Sequence, residues 1–375
     1  MLITDVGVAL RSRTALLEAL HAEGTDCYRL FHGATEGAPG CTLDRYGDLL
    51  LWQTFRDPPE VLPKELLSQL RDIVEEETGV ALTAVHWNAR QRRQQSREGV
   101  SALPPPELPV GHAATEVGVR YLIDVPAPGR DPALYLDFRA ARRWLQANSE
   151  GCDVLNAFAY TCGAGVAALA GGANTVTNLD HSQSFLDVGR RNAVLNGLSA
   201  EDDRFACLCS DALPALRSYA GLPVTADRRR SKWGARGGRG GRGGRGRGGR
   251  GPARGDGAAP AAAKPLKLRY RQFDTVVLDP PTWTTSKHGA VDLVRDYESL
   301  FKPCVLATRP GGTVLAVNHV ASIDVDEWLW KLEKCAKKAD QPLASLEVLP
   351  PEADFPSSDG KHPLKVAIAR VAEMP

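Results

Sequence analysis

Two rhythms of apolar residue divide the chain. Hydrophobic side chains recur at helical spacing in "RTALLEALHAEG" (13–24) and "VLPKELLSQLRDIVEEETG" (61–79). Each run ends on a glycine suited to a left-handed C-cap, Gly24 and Gly79. Between them, "YRLFHGATEGAPGCTLDRYGDLLLWQTF" has short β-type runs, with Tyr46-Gly47-Asp48 as the turn of a hairpin. "LTAVHWN" (82–88) reads as a further strand. Residues 1–109 therefore predict a small α+β domain closed by the stiff proline connector "SALPPPELP". Across 110–137, "TEVGVRYLIDV" and "ALYLDF" read as the two strands of a connecting β-hairpin.

Beyond residue 138 the rhythm alternates. "ARRWLQANSEG" is helical, "CDVLNAF" a buried strand, "GVAALAGGA" helical, "TVTNLD" a strand, "SQSFLDVGRRNAVLNG" a helix, "RFACLCSD" a strand and "ALPALRSYAG" a helix. "FDTVVLD", a helix around "DLVRDYESLFKPCVLATR", the strand "GTVLAVNH" and a turn with a closing strand in "PPEADFPSSDGKHPLKVAIARV" follow. Strand and helix alternating at this interval is the signature of an α/β, Rossmann-like parallel sheet over 138–375.

In such a sheet ligands bind where strands end, near the switch in strand order. The first strand ends in "NAFAYTCGAG" (Asn156–Gly165), the second in Asp180, the third in Asp211 and the fourth in Asp279-Pro280-Pro281. Proline fixes φ and restricts the residue before it, so the backbone at Asp279 is pre-set. A carboxylate after the second strand matches the two hydroxyls of a ribose. The spacing Gly163-x-Gly165-x-x-Ala168 with Asp180 beyond also meets the loose dinucleotide fingerprint. Taken singly, each acid also fits a helix N-cap, as Asp211 before "ALPALR" illustrates. Acids after strands two and three with a rigid, aromatic-flanked turn after strand four favour S-adenosylmethionine over NAD.

Charge adds one feature. Between Asp227 and Asp256, ten arginines and Lys232 stand against two aspartates; this segment carries +9 and leaves −8 to the rest of a chain whose net charge is +1. Its Arg-Gly repeats have almost nothing apolar to bury, which predicts a disordered insertion at about 224–266. Such repeats bind single-stranded nucleic acid through charge and stacking. The eight cysteines show no C-x-x-C pair and no histidine at zinc-ligand spacing, so no metal is expected and buried thiols in a reducing compartment are. No apolar run approaches membrane-spanning length, and the start has no secretion signature. The expected location is cytoplasmic or organellar, the chloroplast included, and not secreted.

The stretches "YRLFHGATEGAPGCTLDRYGDLLLWQ", "YLDFRAARRWL", "VLNAFAYTCGAGVAALAGGA", "NLDHSQSFLDVGRRNAVLNGL", "FDTVVLDPPTW" and "RPGGTVLAVNH" resemble the class I S-adenosylmethionine-dependent methyltransferases that modify bacterial-type large-subunit ribosomal RNA. The resemblance runs from about Arg11 onward, outside the insertion. It implies S-adenosyl-L-methionine as cofactor and RNA, with ribosomal RNA foremost, as partner. By resemblance, Asn156, Phe158, Tyr160 and Gly163 line the methionine side of the donor. Asp180 holds the ribose with Ser182 nearby, and Asp211 accepts from the adenine amino group. Asp279, Pro280 and Pro281 form the wall between donor and target base, Trp283 offers a stacking face, and Arg139 reaches the donor from the hairpin side. Asp354, Phe355 and Lys361 are candidates to cover the pocket. Part of the family carries an RNA-binding PUA domain in front; the expectation is that this chain lacks it and that the Arg-Gly insertion substitutes.

Cytosine-C5 members resembling this chain place a catalytic cysteine after the next strand, where "AVNHVAS" instead puts Asn318 and His319. Cys162, in the glycine turn, and Cys304, in a helix, are poor substitutes. The stretch is closer to the guanine-N7 members, in which positioning of an exposed lone pair suffices. Two rivals stand beside this reading: an NAD(P)-dependent oxidoreductase on the same fold, and an RNA-binding factor that keeps the pocket without turnover.

Overall fold

The computed structural model describes residues 2–55, 64–90, 111–124, 131–199, 202–224, 268–286, 289–292 and 296–373. The proline connector and the Arg-Gly insertion after Val224 lie outside these. Two helices open the chain, α1 (Leu2–Ser12) and α2 (Thr14–Ala22). Then come β1 (Cys27–His32), β2 (Cys41–Tyr46), β3 (Leu49–Thr54), α3 (Lys64–Thr78) and β4 (Ala84–Ala89), paired in the order β1-β2-β3-β4. Gly47, at φ +65°, turns β2 into β3. Because α3 crosses between β3 and β4, those two run parallel. The apolar faces of the helices and sheet close on one core that includes Leu10, Leu30, Phe31, Leu50 and Leu70.

A tight hairpin, β5 (Ala113–Glu116) and β6 (Val119–Leu122), links this sheet to the larger one. The first of the two stretches read as strands holds the whole turn of this hairpin, from the last residues of β5 through β6, with β5 beginning two residues ahead of it. "ALYLDF" is a 3-10 turn, Leu136–Phe138, running straight into α4 (Arg139–Asn148). Leu134, Leu136 and Phe138 are buried and give it a strand-like period of two, but no neighbouring strand pairs with it among the described residues.

The large domain continues with β7 (Asp153–Ala157), α5 (Gly163–Ala170), β8 (Thr175–Asp180), α6 (Gln183–Leu195), β9 (Phe205–Cys209) and α7 (Ala212–Tyr219). After the insertion come β10 (Phe273–Leu278), a hairpin of β11 (Trp283–Ser286) and β12 (Gly289–Asp292), α8 (Tyr297–Leu306) and β13 (Thr308–Asn318). Last are α9 (Val325–Lys338), β14 (Leu343–Leu349) and β15 (Lys365–Val371). The helix expected around residues 292–309 starts only at Tyr297, since Asp292 belongs to β12. The seven strands lie in the order β14-β15-β13-β10-β7-β8-β9. All neighbours are parallel except where β15 inserts antiparallel between β13 and β14. Helices cover both faces, which is why Val276, Val277 and Leu278 of β10 are all buried. From β7 the chain winds outward to β9, then returns to β10 on the other side; the switch in order lies between β7 and β10. No described helix is long and apolar enough to cross a membrane.

Candidate active site at the carboxyl edge of the large sheet

The turn leaving β7 is built under strain. Phe158, Tyr160 and Cys162 hold φ of 61°, 51° and 62°, three left-handed non-glycine residues within five. Each costs on the order of 1–2 kcal/mol unless its surroundings impose it. Here they do: Ala159 N–H donates to Leu179 O at 3.0 Å and Cys162 N–H to Ala159 O at 2.7 Å. Thr161 Oγ1 donates to Ala133 O at 2.6 Å.

The main product of that turn is an organised carboxylate. Tyr160 N–H donates to Asp180 Oδ2 at 2.9 Å and Ser182 N–H to Asp180 Oδ1 at 2.8 Å. Both oxygens are oriented by backbone, and each keeps a lone pair, the arrangement that suits a vicinal diol. Ser182 is the N-cap of α6, accepting from Phe185 N–H at 3.4 Å. Asp211 stands at the N-cap position of α7, yet its side chain does not cap that helix.

Glycine at 165 serves packing. A Cβ there would stand 2.2 Å from Asn178 Oδ1 on β8. Asn178 Oδ1 in turn accepts from Asn156 Nδ2 at 2.9 Å, so Asn156 is buried and committed to the neighbouring strand. Gly163 has only ordinary contacts around its missing side chain.

Across the switch, β10 and β13 deliver a second polar group. Asp279 Oδ1 and His319 Nε2 are 2.6 Å apart. Burial alone would lower the His319 pKa; the carboxylates of Asp279 and Asp137 outweigh it and raise the imidazole above its usual value. Pro280 is buried behind Asp279 and Pro281 exposed. Asn318 is fully buried; its Oδ1 accepts from Val320 N–H at 2.8 Å, while its Nδ2 meets no partner among the described residues. The Trp283 side chain lies outside what is described.

Asp137 belongs to this group and was missed in the sequence. It sits in the 3-10 turn that the alternating pattern disguised as a strand. Burial raises its pKa, against the lowering pull of His319 and Arg29. The readable signal was an acid inside an otherwise apolar run.

Arg139 is placed elsewhere. Its side chain is fully buried, paired with Asp354 and donating Nη1–H to Cys27 O at 3.0 Å. Asp354 and Phe355 are likewise buried between the domains, with Arg29 lying 4.5 Å over the Phe355 ring, and Lys361 is exposed in a turn. Two surface hollows, of about 470 Å³ beside Trp330 and about 550 Å³ beside His21 and Arg45, lie away from the strand ends. Among the described residues no cluster of three or more His, Cys, Asp or Glu could hold a metal.

A family model described as S-adenosylmethionine-dependent methyltransferase matches residues 28–215. Ribosomal RNA large subunit methyltransferase I of Aeromonas hydrophila is 28% identical over 348 residues, covering 93% of this chain and 74% of that protein. The protein of the same name from Escherichia coli O9:H4 is 26% identical over 335 residues, covering 89% and 71%. Among solved structures, the methyltransferase SMU.776 complexed with SAH superposes at a TM-score of 0.70 with 21% identity, over 98% of this chain and 80% of that one. A SAM-dependent methyltransferase from Agrobacterium tumefaciens gives 0.55 and 17%, over 90% and 88%. At these identities the structural likenesses show the fold. The oxidoreductase reading rested on the glycine fingerprint, and Gly165 is accounted for by Asn178. The family match runs from β1 through the small sheet and the strands β7, β8 and β9 of the large one to α7, half of the chain, so the chain belongs to the S-adenosylmethionine-dependent methyltransferases.

Proposed function

We propose that the protein methylates a base of large-subunit ribosomal RNA, and that the acceptor is a ring nitrogen, guanine N7 foremost. RNA as substrate is supported by the names of the relatives. The nitrogen acceptor rests on one observation: the strand end where cytosine-C5 members resembling this chain carry a cysteine holds His319, bonded to Asp279. Carbon-5 chemistry needs a thiolate to add to the ring first. Cys162 and Cys304 are both buried, and burial pushes both thiols up, the wrong direction for a nucleophile.

In this reading Asp180 accepts from the ribose, with Ser182 keeping α6 in place beside it. Asp211 meets the adenine amino group, and Asn156, Phe158, Tyr160 and Gly163 shape the methionine side. S-adenosylmethionine supplies a methyl group on a sulfonium, which a lone pair can attack directly. Asp279, Pro280 and Pro281 hold the base at that methyl, with Trp283 offered for stacking. His319 contacts its edge, with Nε2 taken by Asp279 and Nδ1 left for the base, whereas Asn318, fully buried, holds the turn beneath it through the N–H of Val320. Arg139 drops out of this set, because its guanidinium is spent on Asp354.

The test is incubation of the full chain with labelled donor and protein-free large-subunit RNA, followed by nucleoside mass spectrometry. The expected product is 7-methylguanosine, reduced strongly by His319→Gln. Finding 5-methylcytidine instead would overturn the acceptor; donor binding without any methyl transfer would leave an RNA-binding factor.

A further inference from the structure

Two of the eight cysteines meet at the back of the turn that shapes the donor site. Cys162 closes that turn, and its sulfur rests on α6 at Gly189, where a Cβ would stand only 2.2 Å from Sγ. Cys207, on β9, reaches the same face of α6 one turn earlier, its Sγ 3.9 Å from Leu186 O. Both thiols therefore pack against one stretch of α6, at residues three apart in the helix, and each acts on the titration of the other. Their surroundings differ: Cys162 is wholly buried, whereas Cys207 is half-buried on the edge strand of the sheet. Arg190 donates to the Cys207 carbonyl at 3.3 Å. The neighbouring Cys162 thiol lowers the Cys207 pKa, burial opposes it, and the Arg190 charge assists. An accessible thiol of lowered pKa with a buried partner at its side is the arrangement of an attacking and a resolving cysteine.

We propose that Cys162 and Cys207 form a redox-active dithiol that exchanges with small-molecule disulfides, and that closing it weakens donor binding at the adjoining turn. The Cys207 thiolate attacks one sulfur of glutathione disulfide, forming a mixed disulfide and releasing one glutathione thiolate. The Cys162 thiol, losing its proton to solvent, then attacks the Cys207 sulfur and releases the second glutathione. The protein gives up two electrons and two protons, and the glutathione disulfide becomes two thiols.

The consequence follows from where Cys162 sits. A disulfide holds its two sulfurs about 2.0 Å apart, so closing it pulls Cys162 toward β9. It is the third left-handed residue of the strained turn, two positions from the Tyr160 N–H that orients Asp180. Moving it disturbs that bond. This second half rests on the donor lying at the turn; the cross-link itself does not.

The experiment equilibrates the full chain in glutathione buffers of graded ratio, blocks free thiols and maps peptides by mass, with S-adenosylhomocysteine affinity measured by calorimetry on each sample. A Cys162–Cys207 cross-linked peptide is expected, with affinity about tenfold lower and restored by dithiothreitol. Cys207→Ser should abolish both effects, and Cys209→Ser should leave both intact. A glutathione adduct that stays on Cys207, or a bridge from Cys207 to Cys209, would overturn the dithiol. A cross-link with unchanged affinity would overturn its coupling to the donor. If the reduced wild-type chain binds no S-adenosylhomocysteine while the cross-link still forms, the donor assignment is what fails.

Discussion

Val117 shows what one residue can be made to endure. It is β-branched, yet it holds φ 51° as the first of two turn residues between β5 and β6, with Gly118 at 76°. Such paired positive φ values favour Asn-Gly, and a valine there is strained. Val117→Asn should therefore raise stability by about 1 kcal/mol, read as an upward shift in the urea midpoint; the hairpin lies outside the carboxyl edge, so donor affinity should not change. His319 makes a second prediction, on pH. Its folded pKa is raised by Asp279 and Asp137 against the effect of burial. A raised folded value means that the contribution is complete below the ordinary imidazole value of about 6.5 and fades as pH climbs through the folded value. The stability gap between wild type and His319→Gln should be widest in mild acid and narrow toward alkaline pH. Denaturant melts from about pH 5 to about pH 9 measure it; a gap that widens with pH would remove the ion pair. The placing of Asp180 and Asp279 at strand ends was legible in the sequence because each closes a short apolar run. Arg139 was not, since its partner Asp354 is 215 residues away in the chain.

At the scale of elements, β7, β8 and β10 were readable because strands buried on both faces leave short apolar runs, bounded here by helical spacing. The boundaries that failed were those where burial has the wrong period. Residues 134–138 bury every second side chain without pairing to a strand among the described residues, and β12 holds Asp292, the first residue of the stretch expected as a helix that starts at Tyr297. The fit between α5 and β8 shows how closely the elements that were read correctly must meet. Gly165 lies where a methyl group would enter Asn178 Oδ1 at 2.2 Å and Val176 Cγ1 at 3.0 Å. Asn178 has no exposure and is held by Asn156, so it cannot swing away. Gly165→Ala should destabilise the protein by about 1–3 kcal/mol and, by shifting α5 and its N-terminal turn, weaken S-adenosylhomocysteine binding. Stability and affinity unchanged together would show that the strand ends tolerate more slack than this packing implies.

At the scale of the molecule, α4 fastens the small sheet to the large one. Arg142 pairs bidentately with Glu116, Nε and Nη2 each 2.6 Å from an oxygen, and Arg143 reaches Glu23 at 2.7 and 2.8 Å and Glu352 at 3.0 Å. Arg139 and Asp354 complete the set at β1, an edge strand of the small sheet. Arg139 Nη1–H caps the carbonyl of Cys27, and Asp354 Oδ2 accepts the N–H of Arg29 at 2.9 Å. A buried ion pair from the large domain thus occupies backbone groups that an open edge would expose to another chain. Removing one partner leaves the other charge buried alone, which costs about 3–5 kcal/mol. Arg139→Met should lose that much in urea unfolding, while Arg139→Met combined with Asp354→Leu should lose less than the sum of the two single changes, since neither charge is then stranded. The measurement also separates the two roles given to Arg139. A clamp shows up as lost stability with a positive coupling in the double-mutant cycle; a donor contact would show up as weakened S-adenosylhomocysteine binding with stability nearly intact, and the fully buried guanidinium predicts the first.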